Sequence, residues 1–419
     1  MTQILKERLV IWLAIFATMV TSHLSAAAGE VAKAPFRYVW ATAHHILPQT
    51  HNNESGYFSL VDGLDGKMYV GTTKYDVNSY LVEFDPKTQE QRIVIDTHKL
   101  TGQTATKSAA QAKIHTRNFV APSGRVYCGS MHGHRRKDEP KYPGGYVMVY
   151  DPKTDTAEHF GIPAPGKSVI DVVADEKRGL IYAVILKPDN RWMICDVKTR
   201  RWRDLGPRAV RYGNTLIDGH GRANTITEKG FQLAQYDPDT GKVTVRDILV
   251  DGKKMPRQGQ PTWRLAPDGR TSYLIGVSDP TLWAIDLYSK GEAVNARRVG
   301  KMVEGRKPSC KTGMDVARDG RVYAVVRVEN DTGFGAGKLH RLSRYDPTTG
   351  RIEQLGVLAV RNPDFVDFDK TTYAHGYHTF PDAVLAPNMF HYALKVNVDG
   401  DVYVTTLYPF SLLRLAKME

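Results

Sequence analysis

Asp-Gly-Arg-Val-Tyr-Ala-Val at 319–325 and Asp-Gly-Asp-Val-Tyr-Val-Thr at 399–405 show a pattern that recurs along the chain. A tight turn that contains glycine leads into a run of β-branched and aromatic residues, as expected of a hairpin. The same pattern stands at 65–71, 123–129, 176–184, 220–226 and 268–276. Short strands at such regular spacing are typical of a β-propeller. We therefore predict an all-β, seven-bladed β-propeller.

Each repeat, or unit, is predicted to contain four strands, a to d, with strand a innermost. The last unit supplies only three strands, at 392–396, 402–406 and 411–415. The stretch Phe36–Thr42 precedes the first unit and has no partner in it. We predict that this N-terminal strand pairs with the last unit and closes the ring, because closure removes two exposed strand edges.

The first residues have the composition of a secretory signal peptide. Lys6 and Arg8 precede the apolar run Leu9–Val20, and small residues follow at 25–28. The apolar run is too short for a typical transmembrane helix, and the sequence holds no second run. We predict a signal peptide at 1–28, one propeller domain at 29–419, and a secreted or periplasmic protein without a membrane span.

Charge indicates the class of partner. The formal net charge of +12 favours acidic ligands. Export and the lack of a basic block or RNA-binding motif argue against nucleic acid. We expect an anionic polysaccharide or oligosaccharide, and the sequence does not indicate an oligomeric state. Cys128 and Cys195 fall in predicted strands of different units, so we predict buried thiols.

A ring of polar residues is predicted at one mouth of the central channel. The start of strand a lies nine positions before the turn glycine of each unit. The count for the third unit allows for its longer turn. The positions hold Tyr57, His115, Lys167, Tyr212, Gln260, Lys311 and His391. Solvation alone would make a channel mouth polar, but titratable groups converging on one mouth favour a substrate site.

Basic residues are expected on the same face. The b–c loop of the second unit carries His132, His134 and Arg135. Arg211, Arg222 and Lys229 lie close to Tyr212 in the sequence. This set favours an extended anionic ligand. Hydrolysis of a glycoside needs two facing carboxylates, and the only acidic candidates near this mouth are Glu54, Asp138, Glu139 and Glu228.

β-Elimination is the reaction that suits these groups. The C5 proton of a uronic acid becomes acidic when a cation neutralises the adjacent carboxylate. A neutral His or a Tyr can then remove that proton, and a second such group can protonate the departing glycosidic oxygen. The sequence therefore predicts a polysaccharide lyase.

Three short motifs resemble those of the propeller-type ulvan lyases and, more distantly, the oligogalacturonate lyases. They are K-I-H-T-R-N at 113–118, M-H-G-H-R at 131–135 and R-Y-G-N-T at 211–215. The resemblance implies that His115 and Tyr212 form the acid–base pair and that His134 or His132 assists. It also implies that Lys229 or Arg222 neutralises the uronate. The family uses an arginine for this role, whereas this sequence offers a lysine or an arginine at a shifted position. Gln260, Lys311, Arg135 and Arg211 would then contact substrate.

A metal site is the second expectation for this face. The last interblade loop carries His375 and His378 before His391, and Cys310 is expected nearby. A Cys/His₃ set suits zinc, and the resemblance to oligogalacturonate lyases implies a His-rich metal site. The predicted chemistry requires no cofactor. These residues could nevertheless hold a divalent metal: zinc, manganese or calcium.

Two other functions fit the same features. A non-catalytic carbohydrate- or protein-binding propeller of the cell envelope would use the same basic mouth. A propeller lactonase or a streptogramin-type lyase would act on a small molecule instead. Calcium-dependent lactonases need acidic ligands in the channel, and the predicted ring has none.

Overall fold

The computed structural model describes residues 32–47, 58–186, 189–311, 313–371, 373–389 and 391–418. The predicted signal peptide and Tyr57 lie outside these ranges. Within them the chain is almost entirely β-structure, with one α-helix, α1 (Thr97–Thr101), and 3₁₀ turns at Lys107–Ala109, Pro363–Phe365 and Ala374–Gly376. No helix in the described ranges has the length and apolar character needed to cross a bilayer.

The first strand and units 1 to 3 are built as follows. Strand β1 is Tyr38–His45. Unit 1 comprises β2 (Leu60–Asp62), β3 (Met68–Gly71), β4 (Tyr80–Phe84) and β5 (Gln91–Asp96). Unit 2 comprises β6 (Lys113–Ile114), β7 (Phe119–Val120), β8 (Val126–Met131), β9 (Val147–Asp151) and β10 (Thr156–His159). Unit 3 comprises β11 (Ser168–Asp175), β12 (Leu180–Leu186), β13 (Arg191–Asp196) and β14 (Arg201–Arg208).

Units 4 to 7 follow the same plan. Unit 4 comprises β15 (Thr215–Ile217), β16 (Ala223–Ile226), β17 (Leu233–Asp237), β18 (Lys242–Val250) and β19 (Lys253–Lys254). Unit 5 comprises β20 (Thr262–Leu265), β21 (Thr271–Ile275), β22 (Thr281–Asp286) and β23 (Ala293–Lys301). Unit 6 comprises β24 (Met314–Val316), β25 (Val322–Glu329), β26 (Lys338–Asp346) and β27 (Arg351–Val360). A hairpin of β28 (Tyr377–Thr379) and β29 (Leu385–Pro387) precedes unit 7, which comprises β30 (His391–Val396), β31 (Val402–Thr406) and β32 (Ser411–Leu415).

Within each unit the strands pair antiparallel in chain order, except that β6 and β7 of unit 2 both pair with β8, and short turns join strand a to strand b. Gly320 and Gly400 lie in the a–b turns of units 6 and 7 with φ of 85° and 88°, a conformation that glycine adopts without steric cost. Apolar side chains from adjacent units pack together between the sheets, and Cys128 and Cys195 are buried there as free thiols, as predicted. The result is an all-β fold of the β-propeller type, as the repeats predicted.

The innermost strands surround a central channel. Strand β2 contacts β7, β7 contacts β11, and β11 contacts β15. The contacts resume from β20 to β24, from β24 to β30 and from β30 back to β2. Units 4 and 5 are joined where Trp263 Nε1 donates to the Asn214 carbonyl at 3.1 Å. We call the face that holds the b–c loops the upper face, and the face that holds the a–b turns the lower face.

Strand β1 differs from the prediction in its pairing. Only its second half, Thr42–His45, pairs antiparallel with β32 of unit 7. Its first half, Tyr38–Ala41, pairs parallel with β27 of unit 6, so most of the predicted stretch Phe36–Thr42 joins the neighbouring unit. At the point of the switch, Asn362 Oδ1 accepts from Ala43 N at 2.9 Å and Asn362 Nδ2 donates to Ala43 O at 3.1 Å.

The innermost strand of unit 2 is interrupted. Both β6 and β7 pair with β8, and residues 115–118 between them leave the ladder. Thr116 Oγ1 accepts from Gly129 N at 2.9 Å, which ties the interruption to β8. The interruption places His115 and Arg117 at the channel.

A candidate active site at the upper mouth of the channel

A cavity of about 310 Å³ opens at the upper mouth. Its polar lining residues are Tyr75, Lys113, His115, Arg117, Arg211, Tyr212, Gln260 and Lys311, and its apolar lining residues are Phe58, Met131 and Val277. These residues come from the entries into strand a and from b–c loops, as the topology predicted. Four of them are cations and none is a carboxylic acid, so the cavity favours an anionic ligand.

His115 lies at the base of this cavity. It is 6% exposed, and its ring stacks on Phe58 with the centroids 4.7 Å apart. Burial, together with the charges of Lys113 and Arg117, holds the pKa of His115 well below its ordinary value. The imidazole is therefore neutral at pH 7 and can accept a proton. Its Nδ1 lies 3.3 Å from Met131 Sδ, a weak acceptor. In the tautomer that carries its proton on Nδ1, Nε2 is the basic atom.

Tyr212 lies next to His115 in the lining of the cavity. The two ring centroids are 6.3 Å apart, and Phe58 contacts Tyr212 edge-on at 5.7 Å. Tyr212 has φ of 59°, and a left-handed conformation costs a non-glycine residue roughly 1–3 kcal/mol. Such backbone strain is found preferentially at functional sites. The Arg211 guanidinium carbon lies 5.2 Å from the Tyr212 ring centroid, which places a cation next to the phenol.

Lys113 and Lys311 supply further positive charge. Lys113 Nζ donates to Tyr75 Oη at 2.8 Å and lies 4.1 Å from the Tyr75 ring centroid. Lys113 is 6% exposed, so its charge acts in a region of weak solvent screening. Burial and the nearby Arg327 lower the pKa of Lys311 from its ordinary value. An anion bound beside Lys311 would offset the repulsion between its ammonium group and Arg327.

Arg117 forms part of the floor. Its Nη1 donates to the carbonyl of Tyr212, and its guanidinium carbon lies 5.0 Å from the Phe58 ring centroid. Its Nε and Nη2 are buried and have no hydrogen-bond partner among the described residues. Burial and the positive charge of Arg264 lower the pKa of Arg117 to about 9, and the charge of Asp171 acts in the opposite direction.

The predicted residues of the second unit's loop lie outside the cavity lining. His134 is exposed and stacks on the Tyr75 ring at 4.1 Å, so it packs against a residue that lines the cavity and does not line it itself. His132 Nδ1 lies 3.4 Å from Ser168 Oγ, and its charge contributes to lowering the pKa of His115. Arg135 Nη2 donates to Gly166 O at 2.8 Å and lines a separate cavity of about 300 Å³.

Three predicted positions lie away from the cavity lining. Arg222 ends the a–b turn of unit 4 on the lower face, where its Nε lies 3.0 Å from Asp218 Oδ2, so it cannot neutralise a ligand at the upper mouth. Lys229 is exposed on the b–c turn of unit 4 and does not line the cavity. Lys167 is also absent from the lining.

The predicted metal set is not brought together. No group of three His, Cys, Asp or Glu side chains in the described ranges could hold a metal ion. His375 is exposed and stacks on Tyr408 at 4.7 Å. His391 is 1% exposed and packs edge-on against His340 of β26 at 5.2 Å, and it does not line the cavity. His378 contacts Phe380, and Cys310 is buried as a free thiol.

None of the acidic candidates within the described residues lines the cavity. Glu139 accepts from Ser108 Oγ at 2.6 Å and pairs with Arg136 at 2.9 Å. Glu228 accepts from Asn190 Nδ2 at 3.3 Å, and Glu54 lies outside the described residues. Among the described residues, the cavity therefore shows no pair of facing carboxylates of the kind that glycoside hydrolysis uses.

Some lining residues were not predicted as part of the site. Lys113 and Arg117 stand two residues on either side of His115, and side chains two apart along a strand share one face. This spacing could have identified them. Tyr75 comes from the b–c loop of unit 1, and loop conformation carries no comparable periodic signal.

No protein-family model matches the chain, and no curated protein matches it. Solved structures share its fold. A streptogramin B lyase aligns with a TM-score of 0.55 at 10% identity, over 90% of this chain and 97% of that chain. A catalytically inactive virginiamycin B lyase from Staphylococcus aureus with quinupristin aligns at 0.54 and 8% identity, over 91% and 99%. The β-propeller domain of Cps50 (Swd1) from Myceliophteria thermophila aligns at 0.54 and 12% identity, over 91% and 100%. At these identities the likeness shows a β-propeller fold alone.

Proposed function

We propose that the chain is a secreted or periplasmic lyase that cleaves a uronic-acid-containing polysaccharide by β-elimination at the upper cavity. One observation carries this proposal. His115, which is buried and neutral, and Tyr212 lie side by side with their ring centroids 6.3 Å apart, in a cavity whose described lining includes four cations and no carboxylate. That combination suits removal of a proton next to a carboxylate better than hydrolysis or metal chemistry.

His115 acts as the base in the proposed reaction. It takes the C5 proton of the uronate, the electron pair forms a C4–C5 double bond, and the C4–O glycosidic bond breaks. Tyr212 gives its phenolic proton to the departing oxygen. The protons then exchange with solvent, which restores neutral His115 and Tyr212. The products are an unsaturated uronate and a shortened chain with a free hydroxyl.

Cations lower the cost of the carbanion that develops at C5. Lys113, Lys311 and Arg211 line the cavity wall and replace Lys229 and Arg222 in the neutralising role. Fixed charges in a partly desolvated site need no reorganisation when negative charge develops on the carboxylate. Gln260 would donate to sugar hydroxyl groups.

We also propose that the seven units are the seven blades of a closed ring and that β1 completes the last blade. The contacts among innermost strands around the channel support this arrangement, as does the pairing of Thr42–His45 with β32. A closed ring of blades leaves only short, protected strand edges.

A lyase that acts on a small molecule is the second candidate. Two solved structures with this fold are named streptogramin B lyase and virginiamycin B lyase. The cavity volume of about 310 Å³ lies at the lower end of the range for small-molecule sites. The cationic lining favours an acid over an uncharged substrate.

Ultraviolet absorbance during incubation with ulvan, pectate, alginate and glycosaminoglycans tests the proposal. Elimination creates a conjugated double bond, so we expect absorbance to rise on one of these polymers. The rise should be absent with His115→Ala protein that retains its circular dichroism spectrum. A flat trace on every polymer, with binding retained, would favour the binding propeller; a rise on a small ester alone would favour the second candidate.

A further inference from the structure

A second cavity lies in the lower half of the channel. Its volume is about 300 Å³, and it shares Phe58 and Arg117 with the upper cavity, so these two side chains separate the two spaces. Leu64 lies on its rim and is 56% exposed. This cavity opens among the a–b turns, on the face opposite the proposed catalytic residues.

An apolar groove continues from the lower cavity. The groove has a volume of about 410 Å³ and shares Phe119, Val173, Thr215 and Leu216 with the lower cavity. Ile217 and Leu265 extend its apolar lining, away from the channel. A ligand with a polar head and an apolar body could therefore occupy both spaces at once.

The charges in the lower cavity indicate the sign of the head group. Lys395 Nζ lies 3.1 Å from Asp62 Oδ1 and 3.0 Å from Asp315 Oδ2, and Arg264 Nε lies 3.3 Å from Asp315 Oδ1. These four groups neutralise one another. Asp171 Oδ2 accepts from Thr215 N at 2.7 Å.

Arg117 is a cation of the lower cavity whose hydrogen-bonding capacity is only partly used. It is 5% exposed, and its Nε and Nη2, the edge that binds a carboxylate with two parallel bonds, have no hydrogen-bond partner among the described residues. The charges that act on it most strongly are those of Arg264 and Asp171, and both residues line the lower cavity. A buried guanidinium edge without an acceptor is costly, so the site suits an incoming anion.

We propose that the lower cavity and the groove form a binding site for a small amphipathic carboxylic acid, with its carboxylate on Arg117 and its hydrocarbon part in the groove. An amine would carry the same charge as Arg117 and would leave its guanidinium edge without an acceptor. A purely polar acid would leave the apolar groove in contact with water. The site is distinct from the upper cavity and goes beyond the proposed lyase activity.

Isothermal titration calorimetry with decanoate, decanol and acetate tests this proposal on the full-length protein. We expect saturable binding of decanoate and at least tenfold weaker binding of decanol, which lacks the charge, and of acetate, which lacks the chain. Equal binding of decanol and decanoate would overturn the assigned role of Arg117. No binding of decanoate at millimolar concentration would overturn the site itself.

Two variants locate the bound acid. Arg117→Met should abolish decanoate binding, and since this buried change could also prevent folding, Leu64→Glu provides a second test at an exposed position. Leu64→Glu places a negative charge at the rim and should weaken decanoate binding about tenfold. The matched control is Val398→Glu, because Val398 is 40% exposed in the a–b turn of unit 7 and lines neither cavity. Equal weakening by both glutamates, or by neither, would overturn the location.

Discussion

Burial gives His115 the protonation state that the proposed reaction needs. An exposed imidazole has a pKa near 6.5 and is partly charged at neutral pH. Lys113 and Arg117 flank His115, and together with its burial they hold its pKa well below that value. Binding of a uronate would place negative charge beside the ring and raise this pKa, which strengthens the base when substrate is present.

Tyr212→Phe tests the acid in the proposed reaction. The change removes one oxygen and keeps the ring that contacts Phe58, so the fold should persist. We expect the rate of formation of unsaturated product to fall by about 10² to 10⁴, the range for loss of a general acid. His134→Ala is the matched control, because His134 stacks on the far side of Tyr75 and should alter the rate only a few-fold. Comparable losses in both variants would contradict the assignment.

Lys113→Met tests charge neutralisation. Methionine retains the apolar stem beside Tyr75 and removes the ammonium group. We expect kcat/KM on an anionic substrate to fall by about 10² to 10³, the loss seen when one stabilising donor is removed. Lys229→Met makes the same change on the same face outside the cavity, and steady-state kinetics should show nearly unchanged turnover. An unchanged kcat/KM in Lys113→Met would remove Lys113 from the mechanism.

Part of the site could be predicted from the sequence. Counting back from the turn glycines places His115, Tyr212, Gln260 and Lys311 at one mouth, because strand a is innermost in every unit. The same count fails at His391, which packs against His340 and does not line the cavity. It fails because His391 is paired in β30 at an irregular point of register, so the sequence distance from the turn does not determine the face of the strand on which its side chain lies.

At the scale of elements, the informative feature is the change of partner along β1. The strand leaves the parallel pairing with β27 after Ala41 and enters the antiparallel pairing with β32 at Thr42. Asn362, which follows β27, binds both backbone groups of Ala43 at this point. Its side chain thus links units 6 and 7 through groups that the strand ladder does not use.

Asn362→Ala should lower the free energy of unfolding by about 1–3 kcal/mol, since two hydrogen bonds to partly buried backbone are lost. Urea titration of full-length protein, followed by tryptophan fluorescence, measures the change. Asn295→Ala provides the control, because Asn295 is exposed on β23 and should change stability by less than about 0.5 kcal/mol. If the two variants were equally stable, the link between the units would be of no energetic importance.

An N-terminal strand outside the seven repeats could be predicted, but its pairing could not. An orphan apolar stretch before unit 1 and a missing strand in unit 7 are both visible in the sequence. The division of β1 between two partners depends on where Asn362 and β27 lie, and this is a long-range contact across more than 300 residues. The prediction of Phe36–Thr42 therefore found the element and missed its pairing.

At the scale of the whole molecule, buried histidines make stability depend on pH. Burial lowers the pKa of His340 to about 3, and the pKa values of His115 and His391 lie well below the ordinary value for the same main reason. An unfolded histidine binds its proton near pH 6.5, so below that pH the unfolded state takes up more protons than the folded state. Stability conferred by these neutral rings is therefore present above pH 6.5 and is lost as pH falls. Asp171 has the opposite effect on stability. Burial raises its pKa to about 7, so below pH 7 the folded state binds more protons at this group than the unfolded state does.

We predict that the free energy of unfolding falls between pH 7 and pH 5, with a slope of at least about 2 kcal/mol per pH unit near pH 5. Each of the three histidines contributes at most about 1.4 kcal/mol per unit, and Asp171 offsets one of the three. Partial burial also lowers the pKa values of His44, His45, His98, His159 and His378, which steepens the slope. Urea midpoints at pH 7, 6 and 5 measure the slope. His340→Gln keeps a donor for the Pro387 carbonyl, which His340 Nδ1 approaches at 3.0 Å, and removes one titrating ring. Its slope should be smaller by about 1.4 kcal/mol per pH unit, and a slope equal to that of the unmodified protein would show that His340 is not held neutral by the fold.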